Sequence, residues 1–371
     1  MLQEHLGYVS DSERLSAYAR AIADIIKPGD SVTDLGCGSG VLGLLCLRAG
    51  AARVYAIDAT AMIGVARVSY SRASLGDRAI FIRGESRQVD LPERVDVVVC
   101  DQVGYFGFDA GIVQDYADAL RRFLKPGGSL IPGRIGLHVA AVDSKRAYAA
   151  VDAWESDSVP PEFRWLREYA VNSRHPIHVD QSELLTTAAQ LGTIDLREEN
   201  RGLLSWTTRL RMSRDGAMHG VVGWFDCELS AGVWMTNSPL AQGPIKRAQA
   251  FLPIREAVAV RADEEILVTV MARPSEDLIA WVVELPSGQR FRHSTWQGAP
   301  LTPEDVIRSN RSHVPRLNRA GAARSTILAY CDGHRTVEEI EEAVTHDHPA
   351  LFPSSTELSR FVAHVLSKDT E

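Results

Sequence analysis

The 371-residue sequence predicts an α/β protein: a parallel sheet covered by helices in its first third, then a strand-rich segment, then a small helical piece. Three observations carry that prediction. Strand-like and helix-like segments alternate as far as Leu137, the pattern of a parallel sheet with covered faces. Three glycines, Gly36, Gly38 and Gly40, stand at the junction of the first strand and the helix after it. Beyond Leu137 the helical period gives way to short alternating runs separated by turns.

Each element follows from its residues. Between Glu13 and Ile26, the residues Leu15, Ala19, Ile22 and Ile26 share one helical face, and KPGD stops that helix before the β-rich run SVTDL. After the glycines, Val41 to Ala49 is helical in pattern, Gly50 stops it, and ARVYAID reads as a second buried strand ending in Asp58. RAIFIRG and VDVVVCD repeat the unit. A helix through Tyr116 to Phe123 then stops at KPGG ahead of the strand SLIPG. In an open parallel sheet the carboxyl edge of the strands is where nucleotides bind, and glycines there let backbone N–H groups approach a ligand. The spacing is G-x-G-x-G, and Asp58 stands where a ribose diol needs an acceptor.

Composition excludes several classes. A formal charge of −8 with no dense Lys/Arg run argues against nucleic-acid binding. No apolar stretch approaches the roughly 18 residues of a membrane span, and the N-terminus carries no targeting pattern. Cys37, Cys46, Cys100, Cys227 and Cys331 are scattered without a CxxC pair, the usage of reduced thiols in a cytoplasmic protein. The run His346-Asp347-His348 lacks a third ligand, so no metal site is expected.

With the glycine loop and Asp58 in this context, the chain resembles the class I S-adenosylmethionine-dependent methyltransferases, whose cofactor domain is Rossmann-like. More narrowly, DQVGYFGFDAGIVQDYADALRRFLKPGGSLIP, beginning at Asp101, is similar to the protein arginine methyltransferase family. That family's pattern here is Glu-x-x-Gly-Tyr, a second Glu five positions past the Tyr, a helix and a Pro-x-Gly turn. The resemblance implies S-adenosylmethionine as cofactor. It places Gly36, Gly38 and Gly40 at the methionine part with Asp34 beside them, Asp58 on the ribose hydroxyls, Ser86 near the adenine, and Arg20 on the cofactor carboxylate. It places Asp101 and Tyr105 at the acceptor as the catalytic pair.

Departures from the family redirect the substrate. The first glutamate is Asp101 and the second position is Ala110, with Asp109 beside it; the Thr-His-Trp loop, aligned near Pro244 to Gln249, is not kept; Arg87 replaces an acid near the adenine. A single carboxylate at Asp101 suits an amine, which becomes cationic as it is alkylated. His5, His138 and His293 are the candidate proton acceptors. The expected function is therefore methylation of an amine or other nitrogen on a peptide, such as a ribosomal natural-product precursor. The alternatives are methylation of a small biosynthetic molecule, protein arginine methylation, and a non-catalytic binding role.

Three domains follow. Residues 1–137 form the Rossmann-like domain. In 138–300 the resemblance implies a β-barrel substrate domain with a helical arm at about Trp154–Ser173 that forms a homodimer. Residues 301–371 resemble the PqqD-like winged-helix family through RLNRAGAARSTILAYCDGHRTVEEIEEAV, in which Thr336 and Glu339 form a capping box. Members of that family bind leader peptides by strand addition, and VPRLN is the candidate strand. The 8 Lys/Arg against 11 Asp/Glu of this segment again disfavour DNA.

Overall fold

A computed structural model describes residues 2–198, 200, 202–299 and 312–370. The chain divides into two compact units, Met1–Pro300 and Leu301–Glu371.

In the first unit, β1 (Ser31–Leu35), β2 (Arg53–Asp58), β3 (Ala79–Arg83), β4 (Val95–Cys100) and β5 (Leu124–Ile131) form a parallel sheet in the order β3-β2-β1-β4-β5. β1, β2 and β4 are buried almost throughout, as their continuous apolar runs require. Strand order reverses between β1 and β4, which opens a crevice at their carboxyl ends. The register fixes what lines that edge. Leu35 pairs with both Ile57 and Cys100, so Gly36, Asp58 and Asp101 leave the sheet side by side.

Helices α1 (Leu2–Ser10), α2 (Ser12–Ile25), α3 (Val41–Arg48), α4 (Met62–Arg72) and α5 (Ile112–Arg122) belong to this domain. The buried face of α2 is Arg14, Ala17, Tyr18, Ala21 and Ile22, one position round from the expected stripe; Leu15 and Ala19 are only half-buried. Asp11 caps α2 by accepting from the Arg14 backbone N–H at 3.2 Å, supplying an acceptor for an otherwise orphan donor. The KPGG segment interrupts no strand. β5 starts at Leu124, opposite Val95, and resumes at Ser129, opposite Val97, with the glycines absorbed in a bulge.

The rest of the unit is antiparallel and barrel-like: β6 (Arg134–Val142), β7 (His175–Ile177), β8 (Ala189–Asp195), β9 (Leu204–Arg211), β10 (Gly216–Ser230), β11 (Val233–Thr236), β12 (Gln249–Val260), β13 (Glu265–Arg273), β14 (Leu278–Glu284) and β15 (Arg290–Ser294). One sheet runs β7-β12-β10-β6-β8 with β11 on β10, the other β15-β14-β13-β9. Trp281 ties the two together by donating its indole N–H to the Pro253 carbonyl at 2.7 Å. The expected helical arm is not one helix. Short turns at Ala153–Glu155 and Pro161–Leu166 precede the five-residue helix Arg167–Val171, because Pro160 and Pro161 remove backbone donors. Phe163 and Trp165 stand exposed on the turn Pro161–Leu166.

The second unit contains helices Arg319–Tyr330, Val337–Asp347 and Ser355–Asp369 around Ile327, Ile340, Val344, Leu358, Val362 and Val365. The capping box at Thr336 and Glu339 forms, and Ser354 caps the last helix. VPRLN, residues 314–318, is not a strand; no strand occurs among the described residues of this unit. The segment 301–311 lies outside the described residues.

Candidate functional site

A cavity of about 610 Å³ lies at the reversal of strand order, within the range of small-molecule sites. Its floor is Asp34, Gly36, Cys37 and Gly38 from the β1–α3 turn; one wall is Asp101, Gln102 and Tyr105 after β4; α1 and α2 contribute His5, Tyr8, Asp11 and Arg14; the β11–β12 loop contributes Lys246 and Arg247.

The turn is glycine for steric reasons. Gly36 and Gly38 have φ of +63° and +53°, the left-handed region. A Cβ on Gly36 would stand 2.6 Å from the Gln102 amide, and one on Gly38 would stand 2.8 Å from the His5 ring. Gly40 has a different task. It lies outside the cavity lining and packs beneath the Tyr70 ring, with room for no Cβ.

Asp34, 1% exposed, accepts the Gly43 N–H at 2.9 Å. Burial pushes its carboxyl up to about 7. Asp58 ends β2, but its carboxylate turns onto the glycine loop, accepting from Gly38 N–H at 2.8 Å, Thr60 N–H at 2.8 Å and the Thr60 hydroxyl at 2.6 Å. It does not line the cavity. Three acceptor positions of about four are thereby in use.

Asp101 occupies the wall as expected, though not as a free carboxylate. Arg14 Nε donates to its Oδ2 at 2.6 Å, Arg247 to Oδ2 at 3.0 Å and Oδ1 at 3.4 Å, and the Tyr18 hydroxyl to Oδ1 at 3.2 Å. Burial alone would raise this carboxyl; Arg247 and Arg14 together hold it below its ordinary value. Both guanidinium groups flank the Tyr8 ring, 5.7 and 5.6 Å from its centroid, an arrangement in which the ring face attracts cations. Asp109 is folded beneath its own loop, fully buried, where it accepts the Phe106 N–H at 2.8 Å and pairs with Arg174. The Arg174 guanidinium lies 5.4 Å from the Tyr105 ring centroid.

Several expected residues are elsewhere. Arg20 is exposed and does not reach the cavity; six positions along α2 from Arg14 is about 240° around the helix, so the arginine in the cavity is Arg14. Ser86 begins a short turn off the lining and gives its carbonyl to Arg122 at 2.9 Å. Of the three singled-out histidines only His5 lines the cavity. His138 pairs with Asp226 at 2.8 Å, and His293 is buried against Trp281 and Asn172. Arg14, Arg247 and Arg174 were not found from the sequence. For Arg14 a signal existed: it stands at i relative to Ala17, Tyr18, Ala21 and Ile22, a charge placed on a buried stripe.

Among the described residues no cluster of three or more His, Cys, Asp or Glu side chains is positioned to hold a metal. No helix there is long and apolar enough to cross a membrane. All five cysteines are free.

Comparison with known proteins agrees with this architecture. Residues 32–128 match the methyltransferase domain family, and residues 134–280 match the arginine methyltransferase oligomerization subdomain. The histone-arginine methyltransferase CARMER of Anopheles gambiae is 30% identical over 256 residues, 64% of this chain and 41% of the relative. The probable histone-arginine methyltransferase CARMER of Drosophila melanogaster is 28% identical over 260 residues, 65% and 48% respectively. The chain thus spans under half the length of these relatives. Among solved structures, the PRMT1 enzyme–prozyme heterotetrameric complex with AdoHcy from Trypanosoma brucei superposes with a TM-score of 0.67 at 20% identity, covering 78% of this chain and 97% of that one. Protein arginine methyltransferase 10 of Arabidopsis thaliana gives 0.68 at 20%, covering 80% and 98%. In its sheet order, glycine loop and barrel-like second domain, the chain is similar to the class I S-adenosylmethionine-dependent methyltransferases of the arginine methyltransferase family.

Proposed function

We propose that this protein is an S-adenosylmethionine-dependent methyltransferase whose acceptor is a nitrogen other than an arginine guanidinium, carried on a peptide or a small biosynthetic amine. The observation that carries the reading is one cavity holding both a left-handed glycine turn at the strand-order reversal and a buried Arg14–Asp101–Arg247 cluster. The residues fit the cofactor: Gly36 and Gly38 leave a cradle that a Cβ would fill, and Arg14 presents a guanidinium suited to a carboxylate. Asp58 reaches ribose hydroxyls if Thr60 yields its place, and S-adenosylmethionine supplies a methyl group on a positively charged sulfur.

The chain's own residues then have two tasks. Tyr105 and Gln102 form the wall that orients an acceptor. His5, on the lining, is placed to take the proton a nitrogen loses. Asp101 is unsuited to that task, since two guanidinium groups hold it ionised. The relatives' names make arginine the second reading. Against it stand Ala110 at the second glutamate position and the pairing of Asp101 and Asp109 to arginines of the same chain.

Association through the segment bearing Phe163 and Trp165 fits a homodimer, consistent with the oligomerization subdomain match. We read the protein as cytoplasmic. The three-helix unit is a candidate peptide-recruiting module, although the described residues offer no strand edge for it.

Calorimetric titration with S-adenosylmethionine tests the reading. Saturable binding is expected in the wild type, weakened in Asp58→Ala by on the order of tenfold or more, the loss of a charge-assisted hydrogen bond. Transfer of a labelled methyl to lysine- or amine-bearing peptides but not to arginine peptides completes it; failure to bind the cofactor refutes it.

A further inference from the structure

Two guanidinium groups in the cavity share one carboxylate, Asp101, while Asp11 and Asp34, also on the lining, accept backbone N–H groups, Asp11 those of Arg14 and Lys246 and Asp34 that of Gly43. Arg14 and Arg247 side chains are only 5% and 10% exposed, and both give N–H donors to Asp101. A buried guanidinium that shares its carboxylate with a second one keeps N–H donors that a further anion can take. The remaining carboxylate of this loop, Asp109, is already paired with Arg174. A guanidinium approaching the loop after β4 would therefore meet carboxylates already paired with arginines.

An anion meets the opposite situation. A guanidinium carries five N–H donors in a planar fork, and Arg247 gives Asp101 one from each terminal nitrogen. Lys246, exposed, lies beside it on the same wall. Arg14, on the helix side, is the group left for the cofactor's carboxylate.

We propose that Arg247, assisted by Lys246, is the acceptor-selecting residue, and that it grips a carboxylate borne by the acceptor beside its nucleophilic amine, as in a free amino acid. This rests on the methyltransferase reading above and narrows its substrate class. Arg247 also excludes arginine side chains, because like charges in a desolvated site repel strongly.

The test uses the full chain saturated with S-adenosylhomocysteine. Glycine and hippurate serve as carboxylate probes, agmatine and methylguanidinium as guanidinium probes, each titrated by calorimetry. The carboxylate probes are expected to bind saturably and the guanidinium probes not to bind. Arg247→Gln should weaken the carboxylate probes by about tenfold or more, the value of a charge-assisted hydrogen bond, and Arg247→Lys should recover part of the loss. Binding of guanidinium probes instead, binding of neither class, or unchanged carboxylate affinity in Arg247→Gln would overturn the proposal. The wild-type preference decides even where a variant does not fold. Failure to bind S-adenosylhomocysteine at all sinks the underlying methyltransferase reading, a distinct result seen before any probe is added.

Discussion

Replacing Asp34 by Asn should flatten the dependence of stability on pH between about 4 and 7. The carboxyl stands in β1, next to its last residue, at 1% exposure, with one backbone donor, Gly43 N–H. Burial raises it from 3.8 to about 7; Arg14 pulls it down, while Asp58 and Asp101 push it up. Between those two values the folded state holds a proton that the unfolded state has lost. Stability therefore falls as pH rises through the window and levels off above it. A separation of about three pH units at about 1.4 kcal/mol each makes the ionised group cost about 4 kcal/mol. Asparagine keeps the shape and still accepts from Gly43 through its amide oxygen. Urea unfolding at pH 5, 6, 7 and 8 should show Asp34→Asn gaining on the wild type by about 1.4 kcal/mol per pH unit up to about pH 7 and little further by pH 8. Parallel curves for the two proteins would show that Asp34 is ionised throughout and that its burial is not what sets its charge. The same group predicts that a positively charged cofactor binds more tightly at pH 8 than at pH 6.

Asp101→Asn strips the shared carboxylate from two buried guanidinium groups and should cost about 3–5 kcal/mol, read as a lowered denaturation midpoint; an unchanged midpoint would mean that the cluster is solvated. Arg20→Ala should leave affinity for S-adenosylhomocysteine unchanged while Arg14→Lys weakens it, and the reverse order would restore the arginine expected from sequence. Burial lowers His293 to about 4 from 6.5, so the unfolded chain binds the extra proton and stability is lost as pH falls from about 6.5 to 4. His293→Gln should remove that acid-side loss, checked by unfolding midpoints at pH 4.5 and 7.

What could be read from the sequence was what local rules determine. The runs VYAI and VVVC are apolar on both sides because β2 and β4 are covered on both faces, and Asp58 and Asp101 stand one step beyond paired residues of β1 and its neighbours. The glycine turn, the Thr336 capping box and the loop after β4 are likewise built from near neighbours, so a family pattern carries their backbone intact. Charge state is set differently. Arg14 lies 87 residues from its partner Asp101, and Arg247 lies 146 residues from it. Nothing near Asp101 in the chain announces either partner. The shift of α2 by one position has the same origin: Tyr18 and Arg14 displace Leu15 and Ala19 from the buried face because Asp101 and the Cys100 carbonyl stand opposite them. Asp109 misled in the other direction, a nearby acid that the fold spends on Phe106 N–H and Arg174. On the function proposed above, a loop keeps its backbone and its cofactor edge while the arginines facing it reverse the charge its acceptor must carry. The class of acceptor is, on that proposal, written in Arg14, Arg174 and Arg247, residues outside the motif that carries the family likeness.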